Sequence, residues 1–396
     1  MDDYFCKYED RRPPEPIPFS AKTQLLWQFF AVCNLVLGAW YLHWRWTSSL
    51  NFDALWFSLL VAAAESLAYF GMILFTFNLW SNEDTPRKPA PGRLHECIAI
   101  PASQPDRPIS VDVFFPTYDE DVELVRLSVL DAKKLRYPHD IDLKIYLLDD
   151  GRREAMAAMA KEEGVHYITR GDNKGFKAGN LRNAMERTGG DFIVICDADT
   201  RVFPSFLENT LGYFRDPQVA WVQTPQWFFD LPEGTRLPDL LHRYLGAPGR
   251  LIAQGLEKLV GPITTGEDPF ANDPQLFYDV IQRRRNRHNA SFCCGAGSIH
   301  RRDAVMHVAL KAYVDGVEKR AKSLVEAVED DDLREAVAGG LERLVAVETE
   351  LTPYRFHVSE DLYTSIYLHS DPDGEWRSVF HPQVESKMLS PQDLQS

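Results

Sequence analysis

The chain has 396 residues, enough for more than one folding unit, and an apolar share of 45% that is ordinary for a globular protein. Its formal net charge of −15 excludes the basic profile expected of a nucleic-acid-binding protein. Six cysteines, at 6, 33, 97, 196, 293 and 294, lack the spacing of a zinc site or a disulfide framework and read as reduced thiols.

The N-terminal part holds two long apolar stretches. No Asp, Glu, Lys or Arg lies between Lys22 and Arg45, and Glu65 alone lies between Asp53 and Glu83. A helix needs about 20 apolar residues to cross a bilayer, so both stretches predict membrane spans; two buried helices of a soluble core are the alternative. Trp40, Tyr41, Trp44, Trp46 and Trp80 stand near the ends, where interfacial belts form. The polar segment before the first stretch argues against a cleaved signal peptide. Lys7, Arg11, Arg12 and Lys22 precede the first span, Arg45 sits in the connection, and Arg87, Lys88 and Arg93 follow the second. The positive-inside rule then places the N-terminus and the large C-terminal part in the cytoplasm. Glu65, at membrane depth, is expected to pair with a neighbour or to sit neutral and hydrogen-bonded to the adjacent helix.

Residues 81–109 are rich in Pro and charge and read as an irregular linker along the membrane surface. An alternation follows. Strands are predicted at 111–118, 143–148, 165–169, 192–196 and 220–223, and helices at 122–135, 154–163, 178–187 and 207–214. This is an α/β pattern with a mostly parallel sheet, whose ligands bind beyond the carboxyl ends of the strands. Thr117-Tyr118, Asp149-Asp150 and Asp197-Ala198-Asp199 all fall there. Two carboxylates closing the buried run 192–196 are costly without a cation, and a hard divalent ion carrying phosphate suits them. Alone, Asp-x-Asp could equally be an acidic surface turn; three strand ends together predict one cleft. Helical insertions are expected at about 231–290 and 303–357. Glu329-Asp330-Asp331-Asp332 reads as a solvated face or helix N-terminus. Arg283-Arg284-Arg285 either contacts anionic lipid or product, or forms a solvated basic turn.

Several motifs go beyond this pattern. They are Pro116-Thr117-Tyr118-Asp119-Glu120, Leu147-Leu148-Asp149-Asp150-Gly151-Arg152-Arg153, and Asp172-Asn173-Lys174-Gly175-Phe176-Lys177-Ala178-Gly179-Asn180. Asp197-Ala198-Asp199, Val222-Gln223-Thr224-Pro225-Gln226, Phe292-Cys293-Cys294-Gly295 and Ser359-Glu360-Asp361 follow. In content and order the set resembles the catalytic region of bacterial cellulose synthases, within the family 2 inverting glycosyltransferases, over residues from about 25 to 390. The resemblance implies a GT-A domain (Rossmann-like, at about 110–390) preceded by a cytoplasmic segment at 1–24, two transmembrane helices at 25–80 and the linker. It further implies a bacterial inner-membrane, multi-pass location and transfer of glucose from UDP-glucose to a growing β-glucan. Mg²⁺ or Mn²⁺ would be the cofactor, and the bilayer and further synthase subunits would be partners.

Roles follow residue by residue. Thr117, Tyr118, Glu120, Asp149, Asp150 and Lys177 would bind the UDP-sugar: Tyr118 by stacking on uracil, Asp149 or Asp150 by accepting from uracil or ribose, Lys177 by meeting the diphosphate at a helix start. Plain alternatives are a core tyrosine, a helix N-cap and a solvated lysine. Asp197 and Asp199 would hold the metal, and Asp361 would be the general base; a helix cap is the bland reading of Ser359-Glu360-Asp361. Gln223, Cys294, Gly295 and Glu360 would line the acceptor side, with the Cys294 thiol packing rather than attacking. The family usually has Thr where Ser359 stands, and a shorter segment between Gly295 and Ser359. The expected Gln-x-x-Arg-Trp element does not occur before Ser396, which predicts a fragment or a shortened enzyme. A non-processive transferase acting on a lipid or short acceptor, or a nucleotide-sugar-binding regulatory subunit, are the competing readings.

Overall fold

The computed structural model describes residues 4–99, 105–231, 234–265, 274–326, 354 and 360–390. Ser359 and the acidic run 329–332 lie outside the described residues. The chain forms two compact units. One comprises Met1–Asp84, Phe228–Ser291 and Ser390–Ser396; the other comprises Thr85–Trp227 and Phe292–Leu389.

In the first unit, α1 (Ala21–Ser48) and α2 (Leu55–Asn78) match the two apolar stretches. Ser20 caps α1, its side chain accepting from the Thr23 amide at 3.3 Å. Both helices are long and apolar enough to cross a membrane. Their outward faces are exposed, with Phe29, Leu37 and Trp40 on α1 and Leu60, Leu67 and Phe77 on α2, which does not suit buried helices of a soluble core. The helices meet closely at Gly38, where a Cβ would come within 2.6 Å of the Tyr69 ring. The Tyr69 hydroxyl donates to the Leu35 carbonyl at 2.7 Å. Glu65 is paired: its carboxylate accepts from Arg45 Nε at 2.8 Å and from the Tyr41 hydroxyl at 3.1 Å. Of the two states expected for it, the ion pair is the one formed.

The basic run at 283–285 is neither a solvated turn nor a lipid contact at its first residue. Arg283 is buried, donating to both Asp84 oxygens, at 2.7 and 2.5 Å, and to Asp279 at 2.9 Å. Arg284 donates to the Leu79 carbonyl at 2.8 Å and lies 5.1 Å from the Trp27 ring centre. A guanidinium with this many local acceptors is a tertiary clamp, and the sequence carries no mark of which acceptors will arrive.

In the second unit the strands are β1 (Ile109–Thr117), β2 (Ile141–Asp149), β3 (His166–Ile168), β4 (Phe192–Ile195), β5 (Arg201–Val202) and β6 (Val219–Gln223). After these come β7 (Ser298–Arg301), β8 (Arg377–Phe380) and β9 (Ser386–Met388). Seven of them form one sheet in the order β8-β6-β7-β4-β1-β2-β3. The pairs β1/β2, β1/β4, β2/β3 and β6/β8 are parallel, while β7 runs antiparallel between β4 and β6. The mostly parallel α/β sheet expected from the sequence is therefore present. Strand β7 was not expected, because Ser-Ile-His-Arg offers neither an apolar run nor a clean alternation.

Helices cover both faces. On one, α3 (Val122–Ala132), α4 (Glu154–Glu163) and α6 (Phe206–Thr210) bury Val125, Met156 and Phe206 against Val113, Phe115 and Leu147. On the other, α5 (Phe176–Arg187) and a long helix starting at Arg302 bury Leu181 and Val305 against Phe114, Leu148 and Ile195. Burial on both faces explains why β4 reads as a continuous apolar run, and each full side chain so buried contributes about 1.5–3 kcal/mol. The linker stretch at 85–99 is irregular, as expected, apart from one 3-10 turn at Leu94–Glu96. Tyr137 and Arg215 fasten it by donating to the Pro91 and Pro89 carbonyls at 2.6 and 2.8 Å.

His300 on β7 is buried and burial pulls its pKa down to about 3. The native state keeps it neutral, whereas the unfolded chain protonates it below about pH 6.5. Stability is thus expected to fall as pH drops through 6 towards 4, by up to about 1.4 kcal/mol per pH unit from this residue. Chemical denaturation across that range checks it; His300→Gln should flatten the slope.

Candidate active site

The carboxyl ends of β1, β2 and β4 lie side by side, because β1 is flanked by β2 and β4 in parallel register. The polar residues singled out in the sequence sit there, in two groups.

The first group closes β1 and β2. Thr117 donates to Glu120 Oε2 at 2.6 Å, and the Tyr118 amide reaches the same oxygen at 2.7 Å. Glu120 thereby shapes the turn, and Tyr118 is left 57% exposed at its tip. Asp149 is fully buried. Its oxygens accept from the Gly151 and Arg153 amides at 3.0 and 2.7 Å, from the Tyr167 hydroxyl at 2.9 Å, and from the Arg153 guanidinium at 3.2 Å. Asp150 forms a two-pronged pair with Arg170, Nε to Oδ1 at 2.7 Å and Nη2 to Oδ2 at 2.6 Å. Gly151 is required here, since a Cβ would strike the Tyr118 carbonyl at 2.1 Å. Arg170 also donates to the carbonyls of Lys174 and Phe176, at 2.5 and 2.9 Å. It therefore joins the end of β2 to the turn that starts α5.

That turn is locally determined. Gly175 and Phe176 both take positive φ, 76° and 49°, and the chain then enters α5 with Lys177 in its first turn. Gly179 lets the Lys174 carbonyl approach to where a Cβ would sit 2.0 Å away. Asn180 Nδ2 donates to the Leu148 carbonyl at 2.8 Å, fixing α5 against β2. The Lys-Ala-Gly-Asn spacing is thus explained by contact needs at each position.

The second group surrounds Lys177. Its Nζ lies 2.5 Å from Asp197 Oδ1 and 3.7 Å from Glu360 Oε1. Gly295, at φ 84°, presses its backbone on the same spot: a Cβ would lie 3.5 Å from Asp361 Oδ2 and 3.6 Å from Lys177 Nζ. Asp197 and Glu360 therefore meet at one ammonium, with Asp361 and the Gly295 backbone beside it. Burial opposes the charge on Lys177, but Asp197, Glu360 and Asp361 outweigh it and hold the amine above the usual lysine range. Burial in turn raises the carboxyls of Glu360 and Asp361, with the Lys177 charge pulling the other way. Both lie in the first turn of the helix Glu360–His369. Asp199 accepts from the Leu389 amide at 3.1 Å.

Gln223 is wholly buried. It accepts from the Cys294 amide at 2.7 Å and donates to the Ala296 carbonyl at 3.0 Å, so it positions the 294–296 backbone. Cys293 is buried among Ser298 and His300, and burial pushes its thiol up to about 12, so it is no nucleophile at neutral pH. All six cysteines are free.

Asp197 and Asp199 offer only carboxylate oxygens, the donors a hard divalent cation prefers. Among the described residues no three His, Cys, Asp or Glu side chains cluster to hold an ion alone. The pair fits a cation that completes its shell with ligand and water oxygens. Sequence reasoning assigned no role to Arg153, Tyr167 and Arg170; the signal for Arg170 was a cation just beyond a third strand end.

Comparison with known proteins identifies the family. The description "Glycosyl transferase family 2" matches residues 112–308. The chain is 34% identical over 290 residues to the cellulose synthase 1 catalytic subunit [UDP-forming] of Komagataeibacter xylinus, covering 73% of this chain and 34% of that protein. It is 31% identical over 285 residues to the cellulose synthase catalytic subunit [UDP-forming] of Pseudomonas fluorescens (strain SBW25), covering 70% and 33%. The chain thus spans about a third of the length of these relatives. Among solved structures, a mannosyltransferase from Pyrobaculum calidifontis in complex with GDP-Man and Mn²⁺ aligns over 85% of this chain and 69% of that one, at 15% identity and a TM-score of 0.47.

Proposed function

This chain carries a glycosyltransferase family 2 domain of GT-A fold, residues 112–308, and we propose that it is a membrane-anchored hexosyltransferase that moves glucose from UDP-glucose to a growing β-glucan. The observation that carries the reading is the meeting of Lys177, Asp197, Glu360 and Asp361 beside the backbone of Gly295.

Tyr118, exposed at the end of β1, stacks on the uracil. Asp150, set by Arg170, accepts from the ribose or base, and Asp149 holds the loop behind it. Lys177, freed from Asp197 as the donor enters, meets the diphosphate. Asp197 and Asp199 would hold Mg²⁺ or Mn²⁺, which when bound supplies positive charge to the departing diphosphate. Asp361 takes the proton of the acceptor hydroxyl. That oxygen attacks the anomeric carbon, the bond to the β-phosphate oxygen breaks, and UDP leaves with the electron pair. One displacement on an α-linked donor yields a β-linkage. Helices α1 and α2 span the bilayer, with the N-terminus and the glycosyltransferase domain on the cytoplasmic side where nucleotide sugars are made.

The test supplies the full-length protein, in membranes, with radiolabelled UDP-glucose, Mg²⁺ or Mn²⁺ and a glucan primer. Label is expected in a β-glucanase-sensitive polymer, with UDP released in step. UDP release without polymer sinks the polymerising reading; a label that follows UDP-N-acetylglucosamine instead sinks the assignment of the sugar.

A further inference from the structure

The transfer chemistry makes no use of the long helix Leu237–Val260, α7 in chain order. It is broken at Gly246, whose φ of 65° and ψ of −152° are not helical, and Pro248 follows. Beyond the break, Leu251, Ile252, Leu256 and Leu259 recur on one side at helical spacing, and they are 69, 65, 43 and 57% exposed. Tyr244 and Leu245 extend the stripe before the break. The residues that α7 does bury are Pro238, Gly249 and Ala253, and beyond the break only the two small ones. Glu257 is tied to Arg236 at 2.7 Å and accepts from the Ile263 amide at 3.0 Å. A helix of a soluble domain turns its large apolar residues inward; this one turns them out.

Its place in its own unit says what covers that stripe. Lys22 Nζ, in the first turn of α1, donates to the Lys258 carbonyl at 3.4 Å, so the end of α7 stands at the start of the first apolar helix. Arg284 over Trp27, with its bond to the Leu79 carbonyl, marks the same end of α1 and α2. Arg243, Arg250 and Lys258 are exposed on α7, with Lys258 two turns on from Leu251 along the helix surface and Arg250 3.7 Å from Asp239, in a chain of net charge −15. An amphipathic helix with a basic rim, level with the end of a membrane span, has the composition of an interfacial helix.

We propose that α7 lies in the plane of the bilayer surface. Leu251, Ile252, Leu256 and Leu259 sink to the acyl boundary, and Arg243 and Lys258 sit among anionic headgroups. This rests on the reading that α1 and α2 span the membrane. The full chain is reconstituted in phosphatidylcholine–phosphatidylglycerol vesicles containing a diazirine-bearing phospholipid, irradiated, digested and mapped by mass spectrometry. Lipid label is expected on the α7 peptides as well as on α1 and α2. The exposed-site variant I252D/L256D should lose the α7 label severalfold and keep the others. Label on α1 and α2 with none on α7 overturns the proposal and leaves the membrane reading standing. An α7 cross-linked to a second copy through Lys258, without lipid label, overturns it in favour of self-association. Label on α7 with none on α1 and α2 upholds the proposal and overturns the membrane reading, and label on none overturns both.

Discussion

Asp361→Asn is expected to reduce glucosyl transfer by about 10²–10⁴-fold, the usual contribution of a positioned general base. The amide keeps the size and the hydrogen bond from the Leu362 amide, 2.7 Å in the native chain for one oxygen, but it cannot take the acceptor proton. Donor binding should change little, so the loss falls on kcat rather than on KM for the UDP-sugar. The environment suits the residue to the proposed role. Burial raises its carboxyl pKa, against the pull of the Leu362 amide and Lys177, and a base nearer neutrality is a better one. Only the ionised form accepts a proton, so the rate should fall as pH drops through that raised value. The stability consequence has the opposite sign. A carboxyl whose folded pKa is raised binds more protons in the native state, so its contribution is lost as pH rises through the folded value. At neutral pH Asp361→Asn should therefore leave the melting temperature unchanged or raised. A variant that is inactive because it is unfolded would show the reverse, and scanning calorimetry separates the two. Unchanged transfer by a folded Asp361→Asn protein would remove Asp361 from the mechanism.

Arg170→Met is expected to destabilise the fold by about 3–5 kcal/mol, the cost of leaving one partner of a buried pair alone. Both side chains of the Arg170–Asp150 pair are 8% exposed. The same substitution frees the Lys174 and Phe176 carbonyls, and with them the turn that sets Lys177. A second change, Asp150→Asn, removes the stranded charge. The double variant should regain a large part of the stability in denaturant titrations. It should still bind UDP more weakly by calorimetry, because the turn before α5 stays loose and Asp150 no longer offers its carboxylate to the ribose or base. Full recovery of both would make Arg170 a partner for Asp150 and nothing more.

Both predictions turn on residues that sequence reasoning treated unequally, and the difference is physical. The strands were legible because an apolar run such as 192–196 can satisfy itself only by burial on two faces, a property of the run alone. The apolar stretches that became α1 and α2 were legible for the same reason. The aspartates at strand ends could be placed in one cleft because parallel strands put their carboxyl ends on one edge. What lay beyond reach was pairing. Asp150 and Asp149 looked alike in sequence, yet one meets a guanidinium from beyond β3 and the other is enclosed by its own loop and Tyr167 of β3. Arg283 looked like a surface charge and is buried between Asp84 and Asp279. Strand β7 has no pattern of its own and exists because β4 and β6 leave a place between them.

By itself, then, the sequence determined which segments bury and where the ionisable groups would gather, since burial follows from local composition and alternation. The tertiary structure decided which cation meets which carboxylate, including the convergence of Lys177 and Asp197 with Glu360 and Asp361 from far along the chain. Charge pairing depends on distances that only chain crossovers and helix packing set, and no stretch of residues carries those distances within it.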